Sequence, residues 1–234
     1  MEHYTQAVVL NRFDVRAADR LFSLYTRHLG KTLVLGRGVR QPNSKMAGVL
    51  EPFAVVSVKI VHGKGGPTLS NVETLKRYQR ILKNADCVML AGNCLRLVDT
   101  LVKEGSCDTT LLSLITTLLA ALDDPSVTFE KKKFLAAVWR LQLASHLGYR
   151  PELTVCVMCR SPLTLTGNSF DVRRGGVVCH RHAAATRLVT VNQIKLLRLI
   201  LEQPLDFFMK KKLSKTLAQS IEVVMNEFVA VVGS

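Results

Sequence analysis

The stretch Phe53-Ala-Val-Val-Ser-Val-Lys-Ile-Val-His62, with Gly63-Lys-Gly-Gly-Pro67 behind it, decides how the first third of this 234-residue chain is read. Val56, Val58 and Ile60 alternate with Val55, Ser57, Lys59 and Val61, the period of two expected of a strand. The glycine-rich break predicts a tight hairpin into a short strand over 68–72. It is not a phosphate cradle, which needs Gly-Lys followed by Ser or Thr at the start of a helix. Upstream, 4–10, 21–26 and 31–36 are further short apolar runs. So many short strands close together predict a small closed or nearly closed barrel, because closure removes exposed edges. An OB-type barrel is the small example that binds single strands, joining a basic groove to stacking aromatics. Phe13, Phe22, Tyr25 and Phe53 are available for stacking, and each reads first as core.

From about Glu73 the pattern turns helical, with helices expected over 84–102, 109–121, 130–147, 191–201 and 213–232. Phe134, Val138, Leu141 and Ser145 mark the expected buried stripe of the third, and Gly148 is its stop. The fold class that follows is α+β: an N-terminal OB-fold β-barrel over 1–75 packed on an α-helical domain over 76–234. No repeat or low-complexity tether separates the two.

Lys and Arg number 32 against 18 Asp and Glu, a net charge of +14 that points to a polyanionic partner. Nucleic acid comes first, then an acidic lipid surface, then an acidic protein tail. Residues 1–80 carry a net +8 and residues 81–234 a net +6. Arg12, Arg16, Arg20, Arg27, Lys31, Arg37, Arg40 and Lys45 lie together, opposed within 12–45 only by Asp14 and Asp19. A charge run is often just a solvated face; its place in the β segment favours a nucleic-acid groove. At 48% hydrophobic and 21% charged the chain is not disordered. Its longest run free of Asp, Glu, Lys and Arg, 109–122, is too short to span a bilayer, so no membrane role is expected. Glu2, Arg12 and Asp14 break any signal-peptide core, and a cytoplasmic, nucleoid-associated protein is the expectation.

The sharpest motif lies in an insertion at about 154–186. Cys156-Val-Met-Cys159 is followed after 19 residues by Cys179-His-Arg-His182. Two ligand pairs with two-residue spacers match a four-ligand structural zinc site, each turn aiming two donors at one point. The ligand set is Cys156, Cys159, Cys179 and His182, with His180 the alternative fourth ligand, strained by adjacency to Cys179. One structural Zn2+ is the expected cofactor. A catalytic zinc of the deaminase type would need His-x-Glu and Pro-Cys-x-x-Cys; no histidine here has Glu two residues on, and Val155 precedes Cys156. Cys87 and Cys94 read as core. With no triad, paired carboxylates or phosphate loop, the chain does not read as an enzyme.

In order, Val8-Val9-Leu10, Ala18-Asp19-Arg20-Leu21, Gly30-Lys31, Gly36-Arg-Gly-Val-Arg-Gln-Pro-Asn-Ser-Lys45, Leu50-Glu-Pro-Phe53 and Leu147-Gly-Tyr-Arg-Pro-Glu-Leu153, running into Cys156-x-x-Cys159, resemble the RecO family of bacterial recombination mediators. The resemblance covers essentially the whole chain. It implies a non-enzymatic mediator that binds single- and double-stranded DNA and anneals complementary strands. Its implied partners are RecR, RecF, RecA and the C-terminal tail of single-strand-binding protein. DNA-binding residues carried over from the family are Arg37, Arg40 and Lys45, then Lys31 and Arg20, although Arg20 can pair with Asp14 or Asp19 instead. Two departures stand out: His182 replaces the cysteine often found last in the ligand set, and 207–215 follows the family's closing pattern only loosely. A zinc-stabilised OB-fold RNA- or ribosome-binding protein is the alternative from the residues alone.

Overall fold

The alternation seen in the sequence becomes a closed barrel. Its strands are β1 (Glu2–Asp14), β2 (Arg20–Thr26), β3 (Gly30–Gly36), β4 (Ala54–Gly63) and β5 (Gly66–Arg77), arranged β1-β2-β3-β5-β4. The structure is a computed structural model and describes residues 2–44, 46, 48–183 and 187–233. Neighbouring strands are antiparallel except β3 and β5, whose parallel pairing of Leu35 with Thr68 closes the ring in OB order. Val56, Val58 and Ile60 of β4 point inward and are fully buried with Ala7, Val9, Phe22, Leu24 and Val34. Each such Val, Leu, Ile or Phe contributes roughly 1.5–3 kcal/mol through burial. Register shifts in β1 at Val9/Asn11, and between β4 and β5, bend the strands into so tight a ring. The glycine-rich break is a hairpin in which Gly63 faces Gly66. β1 and β5 run longer than their apolar stretches, since their polar ends stay in register beyond the core.

By packing, the chain divides into two units, Met1–Ser126 and Val127–Ser234. The barrel ends at Arg77, and α1 (Gln79–Leu82), α2 (Ala85–Leu101) and α3 (Thr109–Asp123) belong to the barrel's unit. One carboxylate on α2 gathers three strands: Asp99 accepts from the Ser23 hydroxyl of β2 (2.6 Å) and the Asn11 amide of β1 (3.3 Å), and pairs with the Lys31 ammonium of β3 (3.1 Å). The Lys31 ammonium also donates to the Asp99 carbonyl. Gly30 sits at φ +63, and a Cβ there would come within 2.1 Å of the Ser106 carbonyl, so only glycine lets the α2–α3 loop lie on the β2–β3 turn. Next to it the buried Tyr25 hydroxyl donates to the Asp108 carbonyl (2.9 Å) and accepts from its N–H (3.0 Å), pinning the start of α3.

The second unit is built around α4 (Phe129–His146), with α5 (Val191–Glu202), α6 (Leu205–Lys210) and α7 (Lys215–Val232) against it. The buried surface of α4 is wider than the expected stripe: Leu135 to Trp139, Leu141, Leu143 and Ala144 are all buried, whereas Ser145 is only half-buried. A helix packed by three others buries most of its circumference. It ends in a Schellman turn, Tyr149 N–H to the Ala144 carbonyl (2.9 Å) and Gly148 N–H to the Ser145 carbonyl (3.1 Å), at the expected glycine. The four- and six-residue helices α1 and α6 are too short to leave a period in the sequence. Between α4 and α5 lie β6 (Ser169–Asp171), β7 (Gly176–Val178) and β8 (Arg187–Leu188), a small sheet ordered β7-β6-β8. Among the described residues no helix is long and apolar enough to cross a membrane.

Lys31 and Asp99 are little exposed, 13% and 16% at their side chains. Replacing Asp99 with Ala leaves the ammonium a backbone carbonyl but no counter-charge and deprives two further donors of their acceptor, and is expected to cost about 2–4 kcal/mol in urea unfolding. A loss under about 0.5 kcal/mol would mean the strands hold together without it.

Candidate metal knuckle and basic barrel surface

Two turns make the knuckle. In the first, Arg160 N–H returns to the Cys156 carbonyl (2.8 Å) and Cys156 N–H reaches the Ser161 carbonyl (2.9 Å). In the second, His182 N–H closes on the Cys179 carbonyl (2.8 Å). Cys156 and Cys179 lie buried among Val157, Leu163 and Val178, while Cys159 is exposed. Gly176 closely faces the segment before the first turn, since a Cβ would stand 2.4 Å from the Glu152 carbonyl.

The donor atoms of Cys156, Cys159, Cys179 and His182 all fall within 4.8 Å of one another. Cys159 Sγ is 3.9 Å from Cys179 Sγ, and His182 Nδ1 lies 3.4 Å from Cys179 Sγ and 3.7 Å from Cys156 Sγ. A tetrahedron with ~2.3 Å metal–sulfur and ~2.05 Å metal–nitrogen bonds has S–S edges of ~3.8 Å and S–N edges of ~3.6 Å. The residues therefore fit one tetrahedral metal ion, and the ring nitrogen in the cluster is that of His182. Burial would raise the Cys156 thiol, but N–H groups of Cys179, Cys159 and Met158 bring it down to about 6; burial pushes the Cys179 thiol up. A bound cation would hold both as thiolates and tie two distant turns together, the chemistry of a structural centre.

Glu152, which spacing did not single out, steadies the approach to this site. Its carboxylate accepts from the Thr154 N–H (2.8 Å) and hydroxyl, from Val155 N–H (3.4 Å), and pairs with Arg160 (3.3 Å). The Thr154 hydroxyl and N–H, helped by Val155 N–H and Arg160, hold its pKa at about 2.

At the barrel the basic residues divide by what they touch. Arg20 is bound to Asp14 (2.6 Å), as Arg40 is (3.5 Å); Arg12 pairs with Glu51 (3.4 Å), Arg16 with Asp19 (3.7 Å) and Lys31 with Asp99. The Arg20 hydrogen bond, with Arg40 and Arg12 nearby, holds the Asp14 carboxyl below its usual range. Arg37 is exposed and meets no carboxylate among the described residues. It reaches over the β4–β5 hairpin, where a Cβ on Gly65 would lie 3.9 Å from its guanidinium. Its segment is anchored by buried Val39, by Gly38 N–H to the Asp19 carboxylate (2.8 Å) and by Arg40 N–H to the Ala18 carbonyl (3.0 Å). Arg16, Arg37 and Arg40 thus stand on two loops tied to each other, Lys31 and Arg20 belong to the framework beneath, and Lys45 lies outside the described residues. Of the four aromatics, Phe22, Tyr25 and Phe53 are buried and Phe13 is exposed.

A basic OB barrel followed by a helical unit with a Cys3His knuckle is the class of protein that the fold and site define. Two family models, Recombination protein O N terminal and Recombination protein O C terminal, match residues 1–78 and 84–231. The chain belongs to the recombination protein O (RecO) family. Relatives named DNA repair protein RecO include that of Roseiflexus sp., 28% identical over 96% of this chain and 78% of the relative. The Dehalococcoides mccartyi protein is 26% identical over 94% and 87%, and that of Geobacter sulfurreducens 34% identical over 66% and 62%.

Metal analysis is expected to find about one ion per chain, and Cys179→Ser to lose both the ion and thermal stability; full stability without metal would refute the knuckle. Glu152 has its pKa depressed from 4.5 to about 2, so its stabilisation is present above pH 4.5 and fades as pH falls towards 2. The stability gap between wild type and Glu152→Gln should close over that window in urea titrations at several pH values, and a pH-independent gap would contradict it.

Proposed function

We propose that this DNA repair protein is a non-enzymatic recombination mediator. It binds single- and double-stranded DNA through the barrel, anneals complementary strands, and with RecR helps RecA displace single-strand-binding protein. The observation that carries this reading is the family match in both halves of the chain, in order. The physical demands agree with it. Annealing needs like charges neutralised without regard to sequence, which Lys and Arg paired with phosphate provide, together with a strong salt dependence. Arg37 is the first DNA-binding residue in this reading, Arg40 and Lys45 follow, and Lys31 and Arg20 hold the barrel that presents them. The knuckle takes one Zn2+, the ion suited to three thiolates and an imidazole, in a structural role. RecF, RecA and the acidic tail of single-strand-binding protein are further partners, and the nucleoid is the place of action.

The decisive experiment measures annealing of complementary oligonucleotides coated with single-strand-binding protein, with and without RecR. Acceleration by the wild-type protein is expected, and none would reject the mediator reading. Arg37→Ala with Arg40→Ala should lower the salt slope of single-strand binding by about 1–1.5, at ~0.7 for each phosphate left without its cation. An unchanged slope would remove the barrel loops from the DNA site.

A further inference from the structure

Of the net +6 carried by residues 81–234, +5 belongs to two short runs, Glu130-Lys-Lys-Lys133 and Asp206-Phe-Phe-Met-Lys-Lys-Lys-Leu-Ser-Lys215. Far apart in sequence, they meet in the second unit, where α4 packs on α6 and the Lys131 ammonium donates to the Lys211 carbonyl at 2.6 Å. Aromatic rings order the charges. Lys211 lies over Phe207 (5.0 Å to the ring centre), Lys131 over Phe134 (5.4 Å) and Lys133 over Phe129 (5.5 Å). Phe207 and Phe134 both abut Phe208, at 5.1 and 6.3 Å between ring centres, so the platform under Lys131 and Lys211 is continuous.

None of the seven lysines in these runs is in an ion pair among the described residues, in contrast to the carboxylate-bound arginines of the barrel. A ring face holds an ammonium without bringing an opposite charge to it. Lys132 is buried and burial lowers the Lys131 pKa, so the exposed lysines of the second run carry the surface. Glu222 of α7 is an acidic group whose pKa is pushed up by burial, and Lys133 and Arg140 only partly offset that rise. Lys210, Lys211, Lys212 and Lys215 are exposed.

We propose that the start of α4 and the α6–α7 connection form a second binding surface, one for the phosphate backbone of single-stranded nucleic acid. The exposed side chains at the surface offer a row of ammonium groups, with Phe208 buried beneath and Lys211 lying over the half-buried Phe207 ring. A flexible chain of phosphates matches such a row, contributing affinity without sequence preference. This rests on the annealing function proposed above for its purpose: a mediator with cationic surfaces on two packing units can hold two strands, or one strand at two places.

Lys211, Lys212 and Lys215 can be replaced together with Ala in the full chain, the fold being checked by circular-dichroism melting. Binding of a fluorescein-labelled oligothymidylate is then titrated across salt beside the Arg37→Ala/Arg40→Ala variant, and annealing rates are compared. The triple variant should lower the salt slope by about 2 and slow annealing about tenfold, while the triple Lys→Arg variant keeps the wild-type slope. A wild-type slope in the triple Ala variant would overturn the second surface. If the Arg37/Arg40 variant still weakened binding, the barrel assignment would stand alone. Loss of binding to an acidic peptide ending in Phe, with oligothymidylate binding intact, would also overturn it, in favour of a protein partner.

Discussion

Asp99 is the point at which the barrel and its helices become one unit. A carboxylate delivered by α2 receives a hydroxyl from β2, an amide from β1 and an ammonium from β3, so three neighbouring strands share one acceptor. The cost of burying such a charge is offset only when every donor is in place, which makes the arrangement specific as well as stabilising. Leu35 opposite Thr68 then closes the ring, and the Gly30 turn accommodates the α2–α3 loop beside the same lysine. Lys31 is thereby committed to the framework.

The same principle sorts the rest of the positive charge. Around the first barrel loops Asp14, Asp19 and Glu51 hold arginines in fixed geometry, and Arg37 stands clear of them over the β4–β5 hairpin. Carboxylates there build loops rather than cancel a function, because they tie the 37–44 segment to the β1–β2 turn. At Lys131, Lys133 and Lys211 of the second unit aromatic faces take the place of carboxylates and bring no opposite charge to the ammonium groups. The knuckle solves a different problem. Its three short strands cannot supply much core, and a metal ion gathered by the two turns would provide the cross-link that so small a sheet lacks.

Much of this was legible in the chain itself. Period-two alternation in 53–62 and the glycine break after it mark a hairpin, because strand geometry acts on neighbours two residues apart. The spacing of Cys156, Cys159, Cys179 and His182 marks a candidate metal site for a similar reason, each pair being a single turn, and the structure brings the four donors together. Helices α2, α3, α4, α5 and α7 stand within about two residues of expectation, and the family resemblance, carried by motifs in a set order, agrees with the family matches.

What sequence determined alone is thus whatever depends on residues close in the chain: strand period, helix caps, ligand spacing, total charge. Tertiary structure decided which charges are available. Arg20 and Lys31 read the same as Arg37 in a list of cations, yet Asp14 and Asp99 claim the first two and no described carboxylate claims the third. The +6 of residues 81–234 looked diffuse, and the packing of α4 on α6 drew most of it together. Coulombic pairing depends on distance through space, and separations such as the 68 residues between Lys31 and Asp99 are set only when the chain has folded.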